Sequence, residues 1–246
     1  MSTSRTPAVL FDLDGTLLDP AGAITDGISD AIAAHGFDRP QPDTLRKFVG
    51  PSTDESLTAY TDIPPEFHRD ILATYRGGYL ERARKSSMLY PGVMDLLRDL
   101  AELPVVVGLA TQKPLPTTEI LLRDFGLVEY FDVVSGSRDE LKPETMDLPA
   151  DKAGVIDRAF RLIEDRAVRD PSLGVVDPER TVMVGDREYD VAGALAHGID
   201  CIGVSWGFAS GTELADAGAV SIVDDIMGLR TVMARQTGLE DLIGPA

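Results

Sequence analysis

Two aspartates stand one residue apart in Val9-Leu10-Phe11-Asp12-Leu13-Asp14-Gly15-Thr16, where an apolar run breaks into a polar turn. On an extended strand residues i and i+2 share a side, and Gly15 permits a sharp turn, so both carboxylates are expected at one pocket where the strand ends. One carboxylate can act as nucleophile while its neighbour handles protons, provided their environments differ. Anions this close repel each other. A divalent cation bound through oxygen relieves the repulsion, and magnesium is the natural candidate.

Three later segments carry groups that such a pair needs. In Gly108-Leu109-Ala110-Thr111-Gln112-Lys113-Pro114 the Thr111 hydroxyl, the Gln112 amide and nearby backbone N–H groups can hold a phosphoryl oxygen. A lysine to neutralise phosphoryl charge comes from Leu141-Lys142-Pro143 or from Asp151-Lys152-Ala153. Lys152 is favoured because it opens a helical pattern running through Phe160, whereas Lys142 lies in a Pro-containing loop. In Gly185-Asp186-Arg187-Glu188-Tyr189-Asp190 two acids stand four residues apart across a strand-to-helix turn. Asp186 can reach a cation shared with Asp12, and Asp190 can ligate it or orient a ligand.

These residues need a scaffold that brings strand ends together. Short β-branched runs at Ala8 to Phe11, Val105 to Leu109, Phe131 to Val134, Thr181 to Val184, Cys201 to Val204 and Val220 to Val223 read as buried parallel strands. Helical faces lie between them: Val93, Leu96, Leu97 and Leu100; Ile120 and Leu121 before a stop at Gly126; and Val155, Ile156, Ala159, Phe160 and Ile163. The alternation predicts a Rossmann-like, doubly wound parallel α/β sheet with its site at the carboxyl ends of the strands. Residues 18–90 interrupt it without a convincing strand. Ile24, Ile28 and Ile32 recur every four residues, as do Phe67, Ile71, Tyr75 and Tyr79, and Ser52-Thr53-Asp54-Glu55 has capping-box spacing. The expected organisation is a core of residues 1–17 and 91–246 with a helical insertion of residues 18–90, able to close over the pocket and exclude water.

Among 246 residues, 43% are hydrophobic, and no apolar run approaches the length of a membrane span. With no apolar signal core near the start, a cytoplasmic location is expected. The net charge of -18 argues against a nucleic acid or an anionic membrane as partner. Cys201 reads as a small buried residue, and His35, His68 and His197, lacking metal-ligand spacing, read as surface or capping residues. Nothing in the patterning bears on oligomeric state.

Together these motifs resemble the haloacid dehalogenase-like (HAD) hydrolase superfamily, in particular its phosphoglycolate phosphatase and 5'-nucleotidase branch. Asp12-Leu13-Asp14-Gly15-Thr16 looks like the first family motif, Thr111 the second, a lysine the third, and Gly185-Asp186 with Asp190 the fourth. The resemblance implies a Mg²⁺-dependent phosphatase acting on a small phosphorylated metabolite, phosphoglycolate or a nucleoside monophosphate. Asp12 then attacks phosphorus to give an aspartyl-phosphate, Asp14 protonates the leaving oxygen and activates water, and Gly15, Thr111, Gln112 and Lys152 surround the phosphoryl group. It assigns the metal to Asp12, the backbone carbonyl of Asp14, and Asp186, with Asp190 beside them, and makes residues 18–90 a helical cap. Two departures stand out: Gln112, where relatives usually carry Asn or Ser, and a long Glu164 to Asp177 segment. A dehalogenase is disfavoured, because such members lack an acid at the position of Asp14. A phosphomutase and a catalytically silent binding protein are the alternatives. Arg46, Lys47, Gly50, Pro51, Ser52 and Arg76 are the candidates for contacting the leaving group.

Overall fold

The computed structural model describes residues 5–243. In chain order its elements are β1 (Arg5–Phe11), β2 (Leu18–Asp19), α1 (Thr25–Ala34), α2 (Pro42–Arg46), α3 (Thr53–Tyr60), α4 (Pro65–Ser86), β3 (Met88–Leu89), α5 (Val93–Ala101), β4 (Val106–Pro114), α6 (Leu115–Asp124), β5 (Val133–Ser137), α7 (Lys152–Arg169), β6 (Val175–Gly185), α8 (Glu188–Ala196), β7 (Asp200–Val204), α9 (Glu213–Ala217), β8 (Ser221–Val223) and α10 (Ile226–Thr237). Six strands form one parallel sheet in the order β5-β4-β1-β6-β7-β8. The chain leaves central β1 toward one edge and later returns to build the other, so a crevice opens where β4 and β6 diverge at the carboxyl end of β1.

Strand periodicity explains why the sheet is coated on both faces. Ala8, Val9, Leu10 and Phe11 are all fully buried, but they alternate between two cores. Val9 and Phe11 join Val107, Leu109, Val182 and Val184 against α5, α6 and α10. Ala8 and Leu10 join Val106, Ala110 and Met183 against α7, α8 and α9. Cys201 belongs to the second core, where burial pushes its thiol well up.

Several elements differ from the sequence reading. Leu18–Asp19 and Met88–Leu89 pair antiparallel as a separate two-stranded ribbon, where the sequence suggested no strand. Two residues a side are too few to make a period. The ribbon ties together the two ends of the segment carrying α1–α4, whose interior holds Ile28, Ile32, Leu57 and Ile71, each 0% exposed. Phe67 leaves the apolar face assigned to it and is exposed, edge-on against Phe37 at 5.1 Å between ring centroids. Val105 and Phe131 fall outside their strands, and β8 starts at Ser221 instead of Val220. The long stretch from Glu164 to Asp177 is absorbed by the extension of α7 to Arg169 and the early start of β6, where Val175 and Val176 pair with Arg5 and Thr6. Ser52 caps α3 as its spacing predicts: its hydroxyl accepts from the Glu55 N–H at 3.2 Å and its N–H donates to the Glu55 carboxylate at 3.3 Å. Among the described residues no helix is long and apolar enough to cross a membrane.

Candidate active site

β1 ends at Phe11, so the two aspartates sit in the turn just beyond the strand and not on it. The Asp12 N–H still donates to the Val184 carbonyl at 2.9 Å, continuing the sheet by one residue. Leu13, buried in the core between them, leaves Asp12 and Asp14 on the pocket side. Asp186 follows β6 directly, and Asp190 lies one turn into α8. Carboxylate oxygens of Asp12, Asp186 and Asp190 lie within 4.8 Å of one another, and all three residues are buried. Asp186 is fixed by the Thr16 hydroxyl at 3.3 Å and the Phe208 N–H at 2.8 Å. Asp190 accepts from the Arg187 N–H at 3.0 Å. Gly15, at φ 86°, and Gly207 press so closely on Asp186 that a Cβ at either would collide with its carboxylate.

Burial, then the charges of Asp190 and Asp12, pushes the Asp186 carboxyl well above the usual range. Burial lifts Asp190 to about 6; Lys152 pulls it down and Asp12 pushes it up. Hard oxygen donors, mutual repulsion and a glycine-lined cradle fit a divalent cation. The side chain of Asp14 lies outside this three-carboxylate group, so a metal role for Asp14 rests on its backbone carbonyl.

Lys152 sits at the first position of α7, capped by Asp151, whose side chain accepts from the Gly154 N–H at 2.8 Å. Its Nζ lies 2.6 Å from Asp12, 2.6 Å from Asp190 and 2.7 Å from the Ala110 carbonyl. Burial works against its charge, but Asp12 and Asp190 outweigh that and hold its pKa above the ordinary lysine value. The rival, Lys142, has a 45% exposed side chain whose nearest acid partner is Asp139 at 4.0 Å.

Asp14, like Asp12, lines a pocket between the strand ends and the helical segment. Its Oδ2 meets Nζ of Lys113 at 2.5 Å, while Oδ1 has no hydrogen-bond partner among the described residues. Burial raises the Asp14 carboxyl; Lys113 opposes that shift. Thr111 and Gln112 line the same pocket, both buried, with the Gln112 Oε1 also unpartnered. Lys113 is a residue that sequence reasoning missed, although it directly follows the Thr111-Gln112 pair.

The leaving-group candidates divide. Gly50, Pro51, Ser52 and Arg76 line the pocket. Arg46 and Lys47 do not: Arg46 lies over the Phe208 ring at 5.0 Å and donates to the Gly207 carbonyl at 3.3 Å, and Lys47 lies over Tyr60 at 5.3 Å. Arg76 is bound to Asp139 and Glu140 across the mouth. Tyr75 and Tyr79, read from sequence only as an apolar helix face, also line it, and the Tyr79 hydroxyl is buried without a partner. None of the histidines enters the pocket. His68 is buried, contrary to a surface or capping role, because its Nε2 meets the Ile63 carbonyl at 2.9 Å and its Nδ1 lies 3.4 Å from Asp54.

The family model described as haloacid dehalogenase-like hydrolase matches residues 9–204. The chain belongs to this family. It is 36% identical over 201 residues to a protein of Mycobacterium tuberculosis named tyrosine-protein kinase PtkA, covering 81% of this chain but 62% of that protein's length. A Pseudomonas aeruginosa 5'-nucleotidase is 27% identical, with 93% of this chain and 96% of the relative covered. A crystal structure described as a predicted phosphatase from Clostridium acetobutylicum superposes with a TM-score of 0.81 at 31% identity, over 94% of this chain and all of that one.

Proposed function

We propose that this HAD-family chain is a Mg²⁺-dependent phosphatase of small phosphomonoesters, with residues 18–90 as a cap over a core of residues 1–17 and 91–246. The observation that carries this is the unequal setting of the two aspartates. Asp12 is gripped by Lys152 beside Asp186 and Asp190, whereas Asp14 is held at one oxygen by Lys113 and has the other unpartnered among the described residues.

In this reading a carboxylate oxygen of Asp12 attacks phosphorus as the ester P–O bond breaks, and Asp14 gives its proton to the departing oxygen. Water then attacks phosphorus, Asp14 takes its proton, and the bond to Asp12 breaks to release inorganic phosphate. Thr111 and Lys152 hold the phosphoryl oxygens, and Gly15 and Gln112 complete their surroundings. Asp12, Asp186 and the Asp14 carbonyl would hold Mg²⁺, oriented by Asp190; the ion would supply positive charge to offset that of the phosphoryl group. Phosphoglycolate and nucleoside monophosphates are the substrate types to screen first, the second supported by the nucleotidase relative.

Asp12→Asn abolishes release of 4-nitrophenol from 4-nitrophenyl phosphate while the circular dichroism spectrum is retained; persisting turnover overturns the mechanism. Chelation stops turnover and Mg²⁺ restores it. The relative named as a tyrosine kinase supports a second reading, in which a hydroxyl replaces water as the acceptor. Phosphoryl transfer to an added alcohol or tyrosine peptide, in place of phosphate release, distinguishes the two.

A further inference from the structure

We propose that Lys113 is a positioning residue for Asp14, and that Tyr79 holds Lys113 in that role from across the pocket. The inference rests on the reading of Asp14 as proton donor and assigns what aims it. Two buried lysines serve the two aspartates separately. Lys152 binds Asp12, while Nζ of Lys113 lies 2.5 Å from Asp14 Oδ2 with its side chain 7% exposed. Lys113 is the one side chain hydrogen-bonded to Asp14 among the described residues, and the other oxygen, Oδ1, has no partner. A carboxylate held at one oxygen presents the other, and here that free oxygen belongs to the group that must meet the leaving atom.

A lysine stem is flexible and would not by itself fix a carboxylate. This one is tied at both ends. At the backbone, the Lys113 N–H donates to the Thr111 hydroxyl at 3.2 Å and its carbonyl accepts from the Thr118 hydroxyl at 3.3 Å. At the tip, Nζ lies 4.4 Å from the centroid of the Tyr79 ring, within cation–π range. Tyr79 stands on α4, so the aim of Asp14 depends on the helical segment being seated over the sheet. The proton that reaches the leaving oxygen comes from Asp14, and the one taken from water returns there.

The test exploits how much each leaving group needs that proton. 4-Nitrophenolate departs without one, phenolate benefits from one, and a benzyl alkoxide requires one. With 4-nitrophenyl, phenyl and benzyl phosphate as probes, the wild type shows a shallow dependence of kcat/KM on leaving-group basicity. Lys113→Met steepens it, with benzyl phosphate losing about a hundredfold more than 4-nitrophenyl phosphate, the scale of general acid catalysis. Lys113→Arg recovers part of the difference. Tyr79→Leu steepens the dependence in the same sense, and Tyr79→Phe, which keeps the ring, does so less. Should Lys113→Met fail to fold, the Arg and Leu variants carry the same comparison. An equal loss on all three probes, no loss on any, or a wild type that cleaves 4-nitrophenyl but not benzyl phosphate overturns the proposal. The phosphatase reading fails separately, on a wild type that cleaves none of them or an Asp12→Asn variant that still turns over.

Discussion

Replacing Lys152 by Met removes the cation from between two buried carboxylates while nearly preserving volume. In the native site Nζ stands 2.6 Å from both Asp12 and Asp190, and all three side chains are at most 6% exposed. Deleting one partner of a buried ion pair costs about 3–5 kcal/mol, because the remaining charge is left without compensation. For a chain of this length that is a fall in Tm of about 6–20 °C. Protonation limits the damage. Asp190 titrates at about 6 even with the ammonium beside it, and that ammonium pulls its pKa down. In the variant its pKa lies higher, so between pH 8 and 6 the folded variant binds a proton that the folded wild type lacks. Over that window the deficit narrows as pH falls, by about 1.4 kcal/mol for each unit over which the extra proton is held. Mg²⁺ held as proposed would place positive charge against the same carboxylates, so a saturating concentration raises the Tm of the variant more than that of the wild type. Urea unfolding in chelator at pH 8 and pH 6, repeated with Mg²⁺, measures all of this. A variant within about 1 kcal/mol of wild type at pH 8 without metal would refute the assignment of Lys152 as the counter-ion of this cluster.

The wild type carries a related signature. Because Asp190 titrates at about 6 when folded, against an ordinary aspartate value near 4, metal-free protein loses about 3 kcal/mol relative to Asp190→Asn as pH rises through that window; no difference in slope contradicts the burial argument. Gly207→Ala puts a methyl against the Asp186 carboxylate and the Gly15 carbonyl, so the Mg²⁺ concentration for half-maximal activity rises about tenfold or more; unchanged activation by Mg²⁺ argues against the cradle. Arg187→Met breaks the Glu213 ion pair and the hydrogen bond to the Val49 carbonyl that anchors residues 50–53 at the pocket, so KM rises more than kcat falls; an unchanged KM removes that anchoring role. Lys142→Ala, altering an exposed side chain outside the pocket, leaves kcat/KM within about twofold, and a large loss would reopen the choice of lysine.

What the chain discloses before folding is whatever repeats or clusters locally. Ala8, Val9, Leu10 and Phe11 form an unbroken apolar run, and such a run marks a strand buried on both faces, which the fold then divides between two cores. Asp12, Asp14 and Asp186 stand just beyond strand ends and Thr111 in the last half of β4, so knowing the strands locates them together. Lys152 is favoured over Lys142 by a helical pattern alone, because its contact with Asp12 joins residues 140 apart and leaves no local trace. Tyr75 and Tyr79 show why hydropathy cannot find a pocket wall. Both obey the period of an amphipathic helix, but period reports burial and not what they are buried against. Lys113 is the sharpest case. A lysine after Thr-Gln is ordinary in composition and belongs to no period, and its meaning arises only when a ring from α4 and a carboxylate from the turn after β1 close on it. The residues proposed to perform chemistry are therefore the more legible, since reactivity demands particular types at strand ends. The residues that aim them are less so, because any side chain of suitable reach and charge can do that from anywhere the fold brings near.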